Sequence, residues 1–190
     1  MNKAVVGSKS SGAIGVQLPQ RGRSFKTTTV KGEVSAKGMK FGIVVSRFND
    51  FVTQRLHSAA LKCLKTHGAA ENDVHSFSCP GSFEIPQVAN HLAASGNYDA
   101  LICLGCVIRG ETPHWEYIAA EVTRGVGHVA RSTGIPISFG VLTTDTPEQA
   151  LERSGGKAGN KGWDAALSAI EMANLIRNVR GKKKTKSRRS

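Results

Sequence analysis

From Lys40 onward, short β-rich apolar runs alternate with segments whose apolar residues return at the helical period. This alternation narrows the fold more than any other feature, because it is the pattern of βαβ units wound around a parallel sheet. Strands are expected over residues 40–46, 73–79, 99–108 and 136–142. The first, third and fourth are almost continuously apolar, as strands covered on both faces should be. Between the first two, Val52, Leu56, Ala59, Ala60, Cys63 and Leu64 recur at helical spacing, and Gly68 stands where a left-handed cap would end that helix. A shorter helix is expected from about 86 to 95, ahead of Gly96. A third runs through Trp115, Ile118, Ala119, Val122, Val126 and Val129, with Gly125 and Gly127 each opposing it by about 1 kcal/mol. Thr146-Pro147-Glu148-Gln149 reads as a capping box with proline at the first helical position, opening a helix to about 154. A loop over 155–162 then leads to a last helix through Ala166, Leu167, Ile170, Ala173, Asn174 and Ile176.

A formal charge of +12 suggests a nucleic-acid binder until it is mapped. Residues 1–32 hold six basic and no acidic side chains, and residues 180–190 hold seven and none; the rest of the chain has 13 basic against 14 acidic. The basicity therefore belongs to two tails and not to a folded face. Residues 1–35 are expected to form a largely disordered basic extension, with an added strand near 27–34; residues 36–179 are the globular domain, and 180–190 a disordered basic tail. The acid-free start, with Ser8, Ser10, Ser11, Arg21, Arg23 and Ser24, faintly resembles a transit peptide but is broken by glycine, and a disordered leader is the preferred reading. No run approaches the ~20 apolar residues of a membrane span. Nucleic acid is expected to bind, if at all, only through the tails.

Cys63, Cys79, Cys103 and Cys106 lie in apolar or strand-like segments, which suits buried thiols in a reducing compartment, by default a bacterial cytoplasm. Cys103-Leu-Gly-Cys106 has the spacing of a metal or redox pair but lacks a second pair, so no metal site is expected.

In an open parallel sheet the ligand crevice lies beyond the carboxyl ends of the strands. Those ends carry Ser46-Arg47-Phe48-Asn49, Pro80-Gly81-Ser82-Phe83-Glu84, Arg109-Gly110-Glu111-Thr112-Pro113-His114 and Thr143-Thr144-Asp145. Phe48 suits stacking on a flat heterocycle, against the alternative of an ordinary loop hydrophobe. Glu84 serves either the positive end of the following helix or the N–H groups of a pyrimidine. His114 is placed to move protons near neutral pH or, equally on position, to cap a helix. The stretch 153–162, with four glycines and three cations, has a composition suited to phosphate but neither the spacing nor the preceding strand of a P-loop. No Gly-x-Gly-x-x-Gly follows a strand, so nucleotide cofactors gain no support.

Taken together and in order, SRFN, PGSFEIP, GCVIRGETPHWEY, FGVLTTDTPEQALERSG and KAGNKGWDAALSAIEMANL resemble the lumazine synthase family over about residues 40–178. The resemblance implies a flavodoxin-like three-layer α/β/α sandwich with a four-stranded parallel sheet. It also implies homopentamers, in some members decamers or sixty-subunit shells, association with riboflavin synthase, and active sites between neighbouring subunits. Carried over by residue, Phe48 stacks on a pyrimidinedione with Asn49, Ser82, Phe83 and Glu84 beside it, Glu84 contacts a ribityl chain, and the Val107 and Ile108 backbone meets the ring. Gly110, Glu111 and Thr112 line a phosphate region and His114 moves protons. From the adjacent subunit, Phe139 closes the pocket, Arg153 binds phosphate and Lys161 lies near the ligand. The implied reaction joins 5-amino-6-(D-ribitylamino)uracil to 3,4-dihydroxy-2-butanone 4-phosphate through a Schiff base, phosphate elimination, ring closure and dehydration. It needs no metal or redox cofactor.

Overall fold

The computed structural model describes residues 27–181. The expectations for residues 1–26 and 182–190 lie outside the described residues. Four strands, β1 (Phe41–Ser46), β2 (Val74–Cys79), β3 (Ala100–Ile108) and β4 (Ile137–Thr144), form one sheet in the order β2-β1-β3-β4, every neighbouring pair parallel. Five helices accompany them: α1 (Asp50–Thr66), α2 (Ile85–Ala94), α3 (His114–Thr133), α4 (Pro147–Arg153) and α5 (Lys161–Val179).

The pleat divides each strand between two cores. Phe41, Ile43 and Val45 of β1 and Ile102, Leu104 and Cys106 of β3 pack with Leu56, Ala60 and Leu64 of α1 and Ala166, Ala169 and Ile170 of α5. Val44, Leu101, Cys103, Val107 and Val141 face the other way, onto Ala89 of α2 and Val122 and Val126 of α3. The result is the parallel α/β fold that the alternating pattern implied, in the three-layer α/β/α form that the family resemblance implied. All four cysteines are buried and free, as expected of core thiols.

The central strands β1 and β3 are buried along nearly their whole length, but β4 is not. It forms an edge of the sheet, and its Phe139 is exposed where cover on both faces was expected. The reason is positional: α5 covers one face of β4, while α2 and α3 sit over β1 and β3 on the other. β4 also runs two residues past its expected end.

Three helix details turn on glycine and capping. Gly68 and Gly96 take positive φ just beyond α1 and α2, as the left-handed caps required. α3 is continuous through Gly125, because a Cβ there would stand 2.6 Å from the Pro86 ring of α2; tertiary packing outweighs propensity. At α4, Thr146 accepts the Gln149 amide as the capping box predicts, yet the Gln149 side chain reaches back to the Asp145 N–H, one residue further out. α5 starts at Lys161, so Lys161 and Gly162 belong to its first turn and not to the preceding loop. Asn160 caps that turn by accepting the Gly162 N–H at 2.8 Å.

The segment 27–35 forms no strand within this chain. It crosses α5, where Asn174 Nδ2 donates to the Glu33 and Ser35 carbonyls at 2.8 and 2.9 Å. Order therefore begins before residue 36.

A candidate active site at the carboxyl ends of the strands

Strand order reverses direction at β1, with β2 on one side and β3 on the other. The crevice of a doubly wound sheet opens at such a switch point. A cavity of about 390 Å³ lies there. Its walls come from the turn after β1 (Phe48), the 81–84 turn after β2, the end of β3 (Cys106, Val107, Ile108) with Gly110 and Thr112, and the start of α3 (His114, Trp115, Ile118). Nine expected site residues thus meet, from four separate segments: Phe48, Ser82, Phe83, Glu84, Val107, Ile108, Gly110, Thr112 and His114.

Backbone bonds fix the first turn. The Arg47 and Phe48 N–H groups donate to the Cys79 and Pro80 carbonyls, extending the β1–β2 ladder past the strand and leaving the Phe48 ring 70% exposed above the crevice. Asn49 turns the chain into α1 with φ 60° and ψ 47°, a left-handed conformation that asparagine tolerates. Its Nδ2 donates to the Cys106 carbonyl at 3.0 Å, so the side chain is engaged in holding β1 to β3 and does not line the cavity.

Glu84 makes a contact that neither of its two readings anticipated. Its Oε2 accepts the Gly81 N–H at 2.8 Å, closing the 81–84 turn, while the carboxylate remains part of the cavity wall. Ser82 also lines the cavity, and its Oγ is buried without a hydrogen-bond partner. Ser46 Oγ is likewise unpaired, and both hydroxyls crowd Gly105, where a Cβ would meet them at 2.7 and 3.3 Å. A buried hydroxyl without a partner is costly.

His114 opens α3 directly after Pro113, whose position carries no side-chain cap; the Glu116 N–H turns back to the Pro113 carbonyl at 2.9 Å, and the N–H groups of His114 and Trp115 are the ones left without an intrahelical acceptor. Burial pushes the thiols of Cys79 and Cys106 up to about 11. They are protonated at neutral pH and offer no thiolate nucleophile. Among the described residues, no group of three or more His, Cys, Asp or Glu is arranged to hold a metal ion.

The residues expected from a neighbouring subunit sit apart. Phe139, Arg153 and Lys161 share a second groove along β4 and the start of α5, with Thr143 and Asp164 beside them. At least half of the backbone donors of the glycine-rich stretch are already engaged within the chain. Its Ser154, Gly156, Lys157, Gly159 and Gly162 N–H groups are taken by internal acceptors. Arg153 donates to the Gln149 carbonyl and Lys161 pairs with Asp164 at 2.8 Å, both in exposed positions. Glu111 stands exposed on the rim without lining either pocket.

Two features escaped the sequence reading. Trp115 and Ile118, assigned to the buried face of a helix, also line the cavity. Arg109 lies over the Trp115 ring, 5.6 Å from its centroid, and bridges to Asp145 at 3.5 Å, tying the β3 loop to the β4 loop. The adjacency of Trp115 to His114 was the available signal for the first.

A doubly wound α/β sandwich with a mixed aromatic and polar cavity at its switch point places this chain in the flavodoxin-like class of α/β proteins. Residues 38–177 match the family model described as 6,7-dimethyl-8-ribityllumazine synthase. The chain is 57% identical over 152 residues to a 6,7-dimethyl-8-ribityllumazine synthase of Syntrophus aciditrophicus (strain SB), covering 80% of this chain and 99% of that protein. It is also 57% identical over 146 residues to a protein of the same name from Desulfatibacillum aliphaticivorans, covering 77% of this chain and 94% of the relative. The chain belongs to the 6,7-dimethyl-8-ribityllumazine synthase family.

Proposed function

We propose that this chain is a transferase of riboflavin biosynthesis that makes 6,7-dimethyl-8-ribityllumazine from 5-amino-6-(D-ribitylamino)uracil and 3,4-dihydroxy-2-butanone 4-phosphate, in sites completed by a neighbouring copy of itself. The observation that carries the composite site is a mismatch. The rim cavity contains no lysine or arginine, although one substrate is a phosphate ester, whereas Arg153, Lys161 and the half-exposed Phe139 cluster in a separate groove on β4. Large exposed rings at Phe48, Phe83 and Tyr117 support assembly, since contiguous apolar surface of this kind marks interfaces.

In this reading Phe48 stacks on the pyrimidinedione, with the Val107 and Ile108 backbone edging the ring and Ser82 and Glu84 meeting the ribityl hydroxyls. The phosphate lies by Gly110, Glu111 and Thr112 at the N-terminus of α3, where the helix dipole favours an anion, and Arg153 of the neighbouring copy completes its binding. The substrate amine is itself the nucleophile. Its attack on the ketone, with loss of water, forms the imine; phosphate then leaves, and ring closure expels a second water. The protein supplies orientation, an anion site and a proton carrier in His114. Segment 27–34 supplies a strand to the neighbour's sheet, and the compartment is the cytoplasm.

The test is appearance of lumazine absorbance and fluorescence when both substrates are supplied, with light scattering on the same sample. Product formation by an assembly of five copies or a multiple of five supports the proposal; no product, or full activity from a monomer, overturns it.

A further inference from the structure

The loop between β3 and α3 carries Gly110, Glu111 and Thr112 and runs into His114, yet little of the fold holds it along its length. Residues 109–114 are all exposed. A Cβ on Gly110 would meet nothing within 4 Å, and among the described residues no hydrogen bond joins residues 110–112 to another part of the chain. The loop is fixed at its two ends instead. At the near end the Arg109 N–H donates to the Thr144 carbonyl at 2.8 Å, continuing the β3–β4 ladder past its last pair. At the far end Trp115 packs against the buried residues on the α2–α3 side of the sheet.

The Arg109 side chain joins those ends. Its guanidinium lies over the Trp115 indole, 5.6 Å from the ring centroid, and its Nη1 stands 3.5 Å from Asp145 Oδ1. Asp145 is itself held, because its N–H donates to Gln149 Oε1 of α4 at 3.0 Å. The first residue of the loop thus rests on the residue just past its end, and Gly110, Thr112 and His114, all in the cavity wall, lie between the two points of contact. Stability does not explain the arrangement. Both partners of the ion pair are mostly exposed, at 60% and 63%, and such pairs contribute little to it.

On the reading of His114 as the proton carrier, we propose that Arg109 is a positioning residue: its guanidinium clasps the 109–115 loop shut against Trp115 and Asp145 and so holds His114 in the cavity wall. Proton transfer needs hydrogen-bond reach between the heavy atoms, and a small misplacement costs much of the rate. A planar guanidinium suits the clasp, since its face stacks on an indole while its edge meets a carboxylate, which an ammonium cannot do. Arg109 does not line the cavity, so it acts through the backbone it holds and not by touching substrate.

Steady-state kinetics of lumazine formation tests it, with each substrate varied in turn for the full-length unmutated chain, Arg109→Ala, Arg109→Lys, His114→Ala and the double variant R109A/H114A. Arg109→Ala should lower kcat about fivefold. Both KM values should stay within about twofold, and the thermal midpoint within about 2 °C. Arg109→Lys keeps the charge for Asp145 and loses the flat face, and should lose only about twofold. In the His114→Ala background, Arg109→Ala should change kcat by less than about 1.5-fold, because the group it holds is already gone. A fivefold loss that persists in that background, an unaltered kcat in Arg109→Ala, or a ketone KM raised about tenfold with kcat intact, the mark of a direct phosphate ligand, overturns the proposal. If His114→Ala itself leaves kcat unaltered, the proton-carrier reading fails and the clasp with it; a slow His114→Ala beside a normal Arg109→Ala removes the clasp alone.

Discussion

Asn49 and Cys106 are joined across the switch point: the asparagine amide of the β1–α1 turn donates at 3.0 Å to a carbonyl near the end of β3. This one bond holds together the two strands between which the rim cavity opens. Replacing Asn49 by alanine removes it and also places an ordinary residue at φ 60°. A loss of about 2 kcal/mol is expected, half from the bond and half from left-handed strain. Thermal denaturation should show the midpoint lower by about 6 °C. Asn49→Gly should recover roughly half the loss, because glycine takes that conformation freely. Equal losses for the two variants would remove the backbone argument.

His114→Ala should lower kcat for lumazine formation about 100-fold, the lower end of what positioned proton transfer provides, and leave the KM for the pyrimidinedione unchanged. Arg153→Ala should raise the KM for the phosphorylated ketone about tenfold or more, as loss of a charged hydrogen bond does. Steady-state kinetics with each substrate varied separates the two. An unaltered kcat in the first variant, or an unaltered ketone KM in the second, contradicts the assigned role.

Gly162 packs α5 against α1 so closely that an alanine methyl would overlap the Leu56 carbonyl oxygen, an atom that cannot rotate away. Gly162→Ala should therefore cost about 3 kcal/mol or more in urea unfolding. Gly96→Ala, in open space but at φ 68°, should cost only about 1 kcal/mol. The opposite ranking would show that backbone conformation, not helix contact, sets the requirement for glycine.

Burial raises the thiols of Cys63, Cys79 and Cys106 to about 11 and that of Cys103 to about 12, from 9.0. Because the folded values lie above the unfolded one, their contribution to stability is complete below pH 9 and is lost as pH rises toward 11 and 12. Urea midpoints should fall across that window, and less steeply in Cys103→Ala. At pH 7.5 the folded protein should leave all four thiols unmodified by an alkylating reagent over minutes; rapid labelling of any of them would contradict their burial.

How much of this was written in the sequence differs by element. The strands and the rim were legible because side-chain period and strand ends are local properties, and Phe48, Ser82, Glu84 and His114 meet as the strand-end rule requires. The exposure of β4 was not, since Phe139 lies in a run as apolar as a central strand, and only the order β2-β1-β3-β4 makes it an edge. Gly125 opposed a helix that Pro86, 39 positions away, in fact requires it to permit. The glycine-rich stretch matched a phosphate loop in composition, but which N–H groups are free depends on acceptors such as Glu152 and Asn160, and their geometry is set only in the folded chain. The engagement of Asn49 with Cys106 was hidden for the same reason.

The central claim is that a catalytic site joins the Phe48, Glu84 and His114 rim of one copy to the Arg153 and Lys161 groove of the next. Mixed assemblies of His114→Ala and Arg153→Ala subunits test it most directly. With random mixing in equal amounts, about one site in four pairs an intact rim with an intact groove, so with the ketone well below its KM lumazine formation should return to about a quarter of the unmutated rate. Activity no higher than the mean of the two parent variants would mean that each site lies within a single chain and would contradict the account.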